Sequence, residues 1–167
     1  DAIDNSAGVS TSDHEVNLKI LFNGAVASGR ITLDERNKLL QQMTDEVAAH
    51  VLQDNYLQGL ALSLAESEGA ERIDSEARLI RDLERAGRLD RAIEFLPSDE
   101  TLASRAQAHQ PLTRPELSVL LAYVKNTLAE DLIESDFPDD PQLEADLFGY
   151  FPPILRKQFA DGVAKHS

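Results

Sequence analysis

The chain has 167 residues, and 30 Asp and Glu against 16 Lys and Arg give it a formal net charge of −14. A protein this acidic repels phosphate, which argues against a general nucleic-acid binder and against binding to anionic membranes. It has no Cys, so disulfides, thiolate zinc sites and thiol nucleophiles are excluded. Hydrophobic residues make up 42% of the chain, enough for a globular core. We expect a soluble, cytoplasmic, acidic domain, and the opening Asp1-Ala2-Ile3-Asp4 predicts a piece of a longer polypeptide.

The spacing of the apolar residues predicts an all-helical fold. Leu and Ala recur at three- and four-residue spacing, whereas Val and Ile never alternate with polar residues over the length of a strand. No Gly/Ser-rich linker divides the chain. The predicted fold class is therefore all-α, with several helices in one domain.

Helix-capping patterns place the individual helices. In chain order they are predicted from Ser12 to about Ser28, from Thr32, from Thr44 to Glu68, from Glu76 to Ala86, from Ser98 to about His109, from Thr113 to Ser135, and as two short final helices from Pro141 and Pro153. In the clearest of them, Glu116 completes a capping box with Thr113. Its apolar residues form one stripe, Leu117, Leu120, Leu121, Val124, Leu128 and Leu132. This stripe indicates a core face, although it could also dock a partner.

The first eleven residues differ from the rest. Asn5, Ser6, Gly8 and Ser10 are small or polar types that favour a loop, and this loop leads directly into the helix capped by Ser12. A helix N-terminus presents free N–H groups and the positive end of the helix dipole, which suits a carboxylate. A capped helix after a plain loop explains the same residues, and composition alone favours this simpler interpretation.

The residues on their own indicate no complete catalytic or cofactor site. The eight glycines never form Gly-x-Gly, so the dinucleotide and P-loop signatures are both missing from the sequence. The four histidines are far apart in sequence, which argues against a histidine metal site. Arginines recur at helical spacing among carboxylates over residues 78–91, a pattern typical of surface ion pairs. We therefore assign no catalytic residue and no metal ligand.

Several stretches carry a resemblance to a known family. Residues 4–15 read Asp4-Asn5-Ser6-Ala7-Gly8-Val9-Ser10-Thr11-Ser12-Asp13-His14-Glu15. This run resembles the Asn-Ala-Gly-Gly-Val-Thr-Val-Ser segment of glutamate dehydrogenases, which follows the nucleotide-binding domain and leads into a helix. Residues 3–9, 12–17, 88–97, 112–123 and 150–153 are similar to the large bacterial NAD-specific members of the family, and in particular to their C-terminal region.

The resemblance implies roles for three residues. Asn5 would contact the nicotinamide end of the cofactor NAD. Val9 and Ser12 would line the glutamate pocket, with the Ser12 hydroxyl meeting the distal carboxylate. The sequence departs from the ordinary pattern at Ser6-Ala7 and at Asp13-His14, where the family has an aromatic pair, and His14 is therefore left open as a contact of cofactor, neighbour or water.

The implied reaction is the reversible oxidative deamination of L-glutamate to 2-oxoglutarate and ammonia, with hydride passing to NAD. Residues 1–12 would be the trailing edge of an upstream nucleotide-binding region, and residues 13–167 a helical C-terminal domain. The catalytic Lys and Asp of the family would lie upstream, so we expect the chain alone to be inactive and the intact enzyme to be a homo-oligomer. The alternative is a helical interaction or regulatory module without a catalytic contact.

Overall fold

The computed structural model of the chain describes the backbone of residues 2–166 and the side chains of residues 6–166. In this described part the structure is all-helical, as the sequence predicts, and contains no strand. The α-helices are α1 (Ala2–Ala27), α2 (Leu33–Gln42), α3 (Thr44–Glu68), α4 (Ile73–Arg85), α5 (Asp99–Gln107), α6 (Arg114–Ile133), α7 (Glu144–Tyr150), α8 (Pro153–Gln158) and α9 (Ala160–Val163). Short 3₁₀ turns occupy Gly69–Arg72, Phe137–Asp139 and Pro141–Leu143. Among the described helices, none combines the length and the apolar character that a membrane span requires.

Side-chain caps explain why several helices begin where the sequence predicts. Before α2, the Thr32 hydroxyl accepts from the backbone N–H of Glu35, and the Glu35 carboxylate accepts in return from the N–H of Thr32 at 2.7 Å. Before α5, the Ser98 hydroxyl accepts from the backbone N–H of Thr101 at 3.2 Å. Before α6, the Glu116 carboxylate accepts from the N–H of Thr113, also at 2.7 Å. Each cap satisfies backbone donors that have no partner inside the helix.

The loop predicted before Ser12 is wrong. Residues 2–11 form the first turns of α1, so Ser12 lies inside a helix and does not cap one. The Thr11 hydroxyl donates to the carbonyl of Ala7 at 2.9 Å, a bond that Ser and Thr commonly make within helices. Extending an existing helix is easier than nucleating one, and this outweighs the weak preference of Ser, Asn and Gly for loops. The predicted end is confirmed, because Gly29 follows α1 with a left-handed φ of 72°.

The structure divides into two compact units. The central unit comprises Tyr56–Ser135, with residues 2 and 3 grouped to it, and the terminal unit comprises Asp4–Asn55 together with the chain from Asp136. The central unit has its own core: Leu62, Ile73, Ala77, Ile80, Leu83, Leu89, Leu96, Leu102, Leu112, Leu117 and Leu120. The terminal unit has another: Leu18, Leu21, Phe22, Ala25, Met43, Phe151, Leu155, Phe159 and Val163. The predicted boundary after residue 12, between a catalytic edge and a helical domain, stays a prediction. The two compact units are defined by contacts within the chain and not by function.

Candidate functional site

One face of α1 is apolar and exposed. Val9, Val16 and Ile20 are 62%, 50% and 51% exposed, and Ser12 is exposed between them. Positions 9, 12, 16 and 20 follow the three- and four-residue spacing of a single helix face. The opposite face of the same helix carries Leu18 and is buried in the core of the terminal unit. We call the exposed set Val9, Ser12, Val16 and Ile20 the α1 face.

The α1 face contains two of the three residues that the sequence singles out. Val9 and Ser12 lie one turn apart on it and could contact the same ligand. The Ser12 hydroxyl makes no hydrogen bond to any residue that the structure describes, so it is free to donate or accept. Because Ser12 lies within α1, its neighbouring backbone N–H groups are used by the helix, and a carboxylate could meet only the hydroxyl. The side chain of Asn5 lies outside the described residues.

A hydrogen-bonded cluster on the flank of α1 fixes the rotation of the helix. The Tyr150 hydroxyl donates to the Asp13 carboxylate at 2.9 Å and accepts from the Asn17 amide at 2.9 Å. His14 is only 4% exposed and stacks on the Tyr150 ring, with centroids 4.4 Å apart. His50 approaches His14 with a centroid distance of 5.6 Å. These contacts tie α1 to α3 and α7 and thereby hold the α1 face outward.

Burial keeps the two stacked rings uncharged. Desolvation and the neighbouring His50 lower the pKa of His14, although Asp54 and Asp13 oppose this shift. Burial and the hydrogen bond to Asp13 raise the pKa of Tyr150 to about 12, against the opposing bond from Asn17. Both rings are therefore neutral at pH 7. The cluster positions α1 and is not arranged to move protons at that pH.

An apolar groove of about 590 Å³ runs beside the α1 face. Thr11, Glu15, Leu18 and Lys19 of α1 form one wall, and Leu40 with residues of α3 forms the other. Lys19 is paired with Glu15 at 2.5 Å, so this groove offers no free cation from the described residues that line it to an anionic ligand. The groove therefore suits an apolar surface better than a dicarboxylate.

The remaining predictions concern charge and metals. Surface ion pairs form as predicted, for example Arg81 with Asp99 and Arg88 with Asp131, whereas the pair of Arg91 with Glu84 is partly buried. Within residues 6–166 no group of three His, Asp or Glu side chains is placed to hold a metal ion. Sequence reasoning missed Tyr150, which is 136 residues away from His14. The departure from the family pattern at Asp13-His14 was the one signal that pointed to this region.

Comparison with known proteins now identifies two matching family models. Residues 1–65 match the catalytic domain of bacterial NAD-glutamate dehydrogenases, and residues 109–167 match the C-terminal region of glutamate dehydrogenases. No solved structure matches the chain.

Curated relatives agree with both models. The chain is 53% identical to the NAD-specific glutamate dehydrogenase of Pseudomonas aeruginosa, 49% to that of Halomonas elongata and 41% to that of Mycobacterium tuberculosis. Each match covers 99% of this chain but 10% of the relative, so the chain spans about a tenth of the length of these proteins. The chain thus belongs to the family of the bacterial NAD-specific glutamate dehydrogenases.

Proposed function

We propose that the α1 face forms one wall of the glutamate pocket in an intact NAD-dependent glutamate dehydrogenase. The observation that carries this proposal is the exposure of Val9 and Ser12 on one face of a helix whose other side is anchored in a core. An exposed row of apolar side chains around a single free hydroxyl is suited to being covered by another part of the protein with a ligand between them. The reaction would be the NAD-linked oxidative deamination of L-glutamate.

The chain would supply binding and not the chemical step. Val9 would pack against the aliphatic part of glutamate, and the Ser12 hydroxyl would donate to its distal carboxylate. This carboxylate needs a cationic partner as well, and the described part of the α1 face carries none. The described residues also provide no free backbone N–H groups on this face for a pyrophosphate. The chain would therefore contribute only a contact at the edge of the NAD site. We propose that Asn5 makes this contact with the nicotinamide end.

The activity of the isolated chain is the first test. Purified chain mixed with L-glutamate and NAD should produce no NADH, measured as absorbance at the wavelength of the reduced nicotinamide. Robust turnover by the purified chain would show that it contains a complete catalytic site.

Ser12→Ala in the intact enzyme is the second test. Leaving a charged group short of one hydrogen bond costs about 1–3 kcal/mol, so kcat/KM for glutamate should fall by roughly 5- to 150-fold. Ser10→Ala is a matched control, because Ser10 lies on the other side of α1 and is half-buried. Unchanged glutamate kinetics in Ser12→Ala would remove Ser12 from the pocket.

A helical interaction module is the second candidate, and the central unit favours it. Leu117 and Leu120 of the predicted stripe are buried, whereas Val124 and Leu128 further along α6 are exposed. Exposed apolar residues also follow α3 within the same unit: Tyr56, Leu57, Leu60 and Leu64. Alanine scanning of the intact enzyme separates the two candidates. Loss of activity on substitution of Val9 or Ser12 supports the pocket wall. Loss of activity only on substitution of the exposed apolar residues of α3 and α6 supports the module.

The assembly and its location are part of the same proposal. We propose a homo-oligomer in the cytoplasm, in which exposed apolar faces such as that of α6 are covered by other parts of the enzyme. Light scattering on the purified intact enzyme and cell fractionation test the two statements separately.

A further inference from the structure

The central unit contains a buried carboxyl group that its own fold does not satisfy. Glu76 on α4 is only 6% exposed, and its Oε2 has no hydrogen-bond partner among the residues that the structure describes. Glu116, also largely buried in this unit, shows how the fold normally treats such a group. The guanidinium of Arg105 donates to both of its oxygens, at 2.8 and 3.1 Å, and the N–H of Thr113 donates as well. Glu76 receives no such pair of hydrogen bonds from the described residues. Leaving a buried acceptor unsatisfied costs free energy of folding.

The nearest cationic side chain, Arg72, does not form a hydrogen bond with the Glu76 carboxylate. Nε of Arg72 lies 3.9 Å from Oε1, which is beyond hydrogen-bond distance. The same guanidinium is engaged by Glu68 at 2.6 Å and is largely exposed to solvent. Arg72 therefore gives Glu76 a weak attraction on one oxygen and leaves the other oxygen without a donor.

Glu76 lines a small cavity with apolar walls. The cavity has a volume of about 140 Å³ and lies among α3, α4 and α6. Ala61 and Ala65 form the α3 side, and Leu121 and Val124 form part of the α6 side. Among the described residues that line the cavity, Arg72 is the only polar one besides Glu76. Val124 is exposed, which places it at the outer rim.

Size and polarity define what this cavity can hold. Because a water molecule occupies about 30 Å³ in the liquid, the cavity has room for roughly four or five heavy atoms. A buried water needs two to four polar partners, and the cavity offers little beyond the carboxylate. An anion is repelled by Glu76. A positively charged donor gains a charge-assisted hydrogen bond, about twice as strong as a neutral one, while a short hydrocarbon chain fills the apolar part.

We propose that the Glu76 cavity binds a primary alkylammonium group of about four carbons, with the ammonium donating to the carboxylate of Glu76. A lysine side chain ends in this group, since it carries an ammonium on a four-carbon stem, and a free aliphatic amine carries it as well. This site lies in the central unit and does not depend on the proposed glutamate pocket of α1.

Binding of n-butylammonium to the 167-residue chain tests the proposal. Methyl NMR signals of Ala61 and Ala65 should shift in a saturable way, because these residues line the cavity. Glu76→Gln should weaken the binding at least tenfold, since the amide keeps the shape but loses the charge. Glu71→Gln is the matched control, because Glu71 is exposed on the neighbouring 3₁₀ turn and the change in net charge is the same. Butanol and butyrate should not saturate these signals.

The pH dependence of binding provides an independent check. Burial raises the pKa of Glu76, Arg72 opposes this, and Glu68 and Glu116 add to it. Binding of the ammonium should therefore weaken as the pH falls and Glu76 takes up a proton. Binding that is absent, equal in Glu76→Gln, or equal for butanol would overturn the proposal.

A peptide carrying one central lysine distinguishes the two sources. If this peptide shifts the same methyl signals as strongly as butylammonium, the site accepts a polypeptide side chain. If butylammonium binds and the peptide does not, the cavity is a site for free amines. Should Glu76→Gln unfold the chain, Glu76→Asp gives the same test, because its carboxylate is drawn back by one methylene and should bind the ammonium more weakly.

Discussion

Among the described residues, each compact unit buries one strongly polar side chain, and the surroundings of the two side chains differ. In the terminal unit, His14 lies against the ring of Tyr150, next to an Asp13–Tyr150–Asn17 chain of hydrogen bonds. In the central unit, Glu76 lies beside an apolar cavity with one oxygen unpaired. Nδ1 of His14 and Oε2 of Glu76 are both buried without a hydrogen-bond partner among the described residues, but an uncharged imidazole costs less to bury than a carboxylate. The difference lies in their surroundings: His14 stacks on a ring that is hydrogen-bonded to α1, whereas Glu76 lines the cavity that we propose as an ammonium site.

The two groups also have opposite consequences for stability. The lowered pKa of His14 means that the unfolded chain binds a proton first, so the terminal unit loses stability as the pH falls through the ordinary histidine pKa of about 6.5. The raised pKa of Glu76 means that the folded chain binds a proton first. The central unit therefore gains stability as the pH falls through the pKa of folded Glu76 towards the ordinary value of Glu, about 4.3.

Phe22→Ala tests whether the cores of the two units unfold independently, and it should have a larger effect on stability than the other variants. Phe22 is fully buried and meets Phe159 edge to face, with centroids 5.5 Å apart. Phe22→Ala should destabilise the terminal unit by about 3–5 kcal/mol. Hydrogen exchange should then be faster in α1 and α8 but little changed in α4, which belongs to the central unit. Equal acceleration in both units would mean that they unfold as one. Leu64→Ala on the exposed side of α3 is the control, with an expected change below about 0.5 kcal/mol.

A smaller effect should follow from removing the hydroxyl that holds α1. Tyr150→Phe removes two hydrogen bonds, one of them to a carboxylate, and should cost about 2–3 kcal/mol in the free energy of unfolding. Tyr123→Phe is a matched variant in the central unit, where the hydroxyl donates only to Glu94 at 2.7 Å. It should cost about 0.5–1.5 kcal/mol. Denaturant unfolding of both variants gives the comparison, and an equal cost would contradict the positioning role of Tyr150.

The effect expected for Glu76 has the opposite sign. Glu76→Gln removes a buried charge and should stabilise the central unit at pH 7.5 by about 1 kcal/mol. At pH 4 the gain should vanish, because Glu76 is then protonated in the parent chain. Thermal unfolding at the two pH values measures this, and a loss of stability at pH 7.5 would show that Arg72 pairs with Glu76 in solution.

His14→Phe tests the other half of the pH comparison. The stacked ring is kept but can no longer be protonated, so the loss of stability of the terminal unit between pH 7.5 and pH 5.5 should become shallower. Hydrogen exchange of α1 amides follows this loss directly, with the exposed His109→Phe as the control. An unchanged pH profile would assign the loss to groups other than His14.

Local signals in the sequence predicted most of the helices because caps and apolar spacing act over only a few residues. The sequence predicts a helix start at Thr32 and the pair of Thr113 with Glu116, and in the structure Thr32 pairs with Glu35 and Thr113 with Glu116. The start of α1 was not predicted, because small polar residues occur both in loops and on the solvent side of helices. The exposed α1 face follows from the correct helix and not from the predicted loop.

Long-range packing lay beyond the sequence. The stacking of His14 on Tyr150 joins residues 136 positions apart, and no local pattern contains it. Glu76 stands among alternating arginines and carboxylates, a pattern that predicted surface ion pairs. Arg81 and Arg88 form the predicted surface ion pairs. Glu76 instead lies with Ile80 and Leu83 on the buried side of α4. The roles of Asn5, Val9 and Ser12 and the domain boundary after residue 12 remain predictions from family resemblance.

The pocket-wall role of the α1 face is best tested by a structure of the intact enzyme with L-glutamate bound. We expect the Ser12 hydroxyl about 2.5–3.0 Å from an oxygen of the distal carboxylate, with Val9 in contact with the substrate chain. We also expect Val16 and Ile20 to be covered by another part of the protein. A glutamate molecule bound far from α1, with the α1 face covered only by polypeptide, would show that this face is not a wall of the pocket.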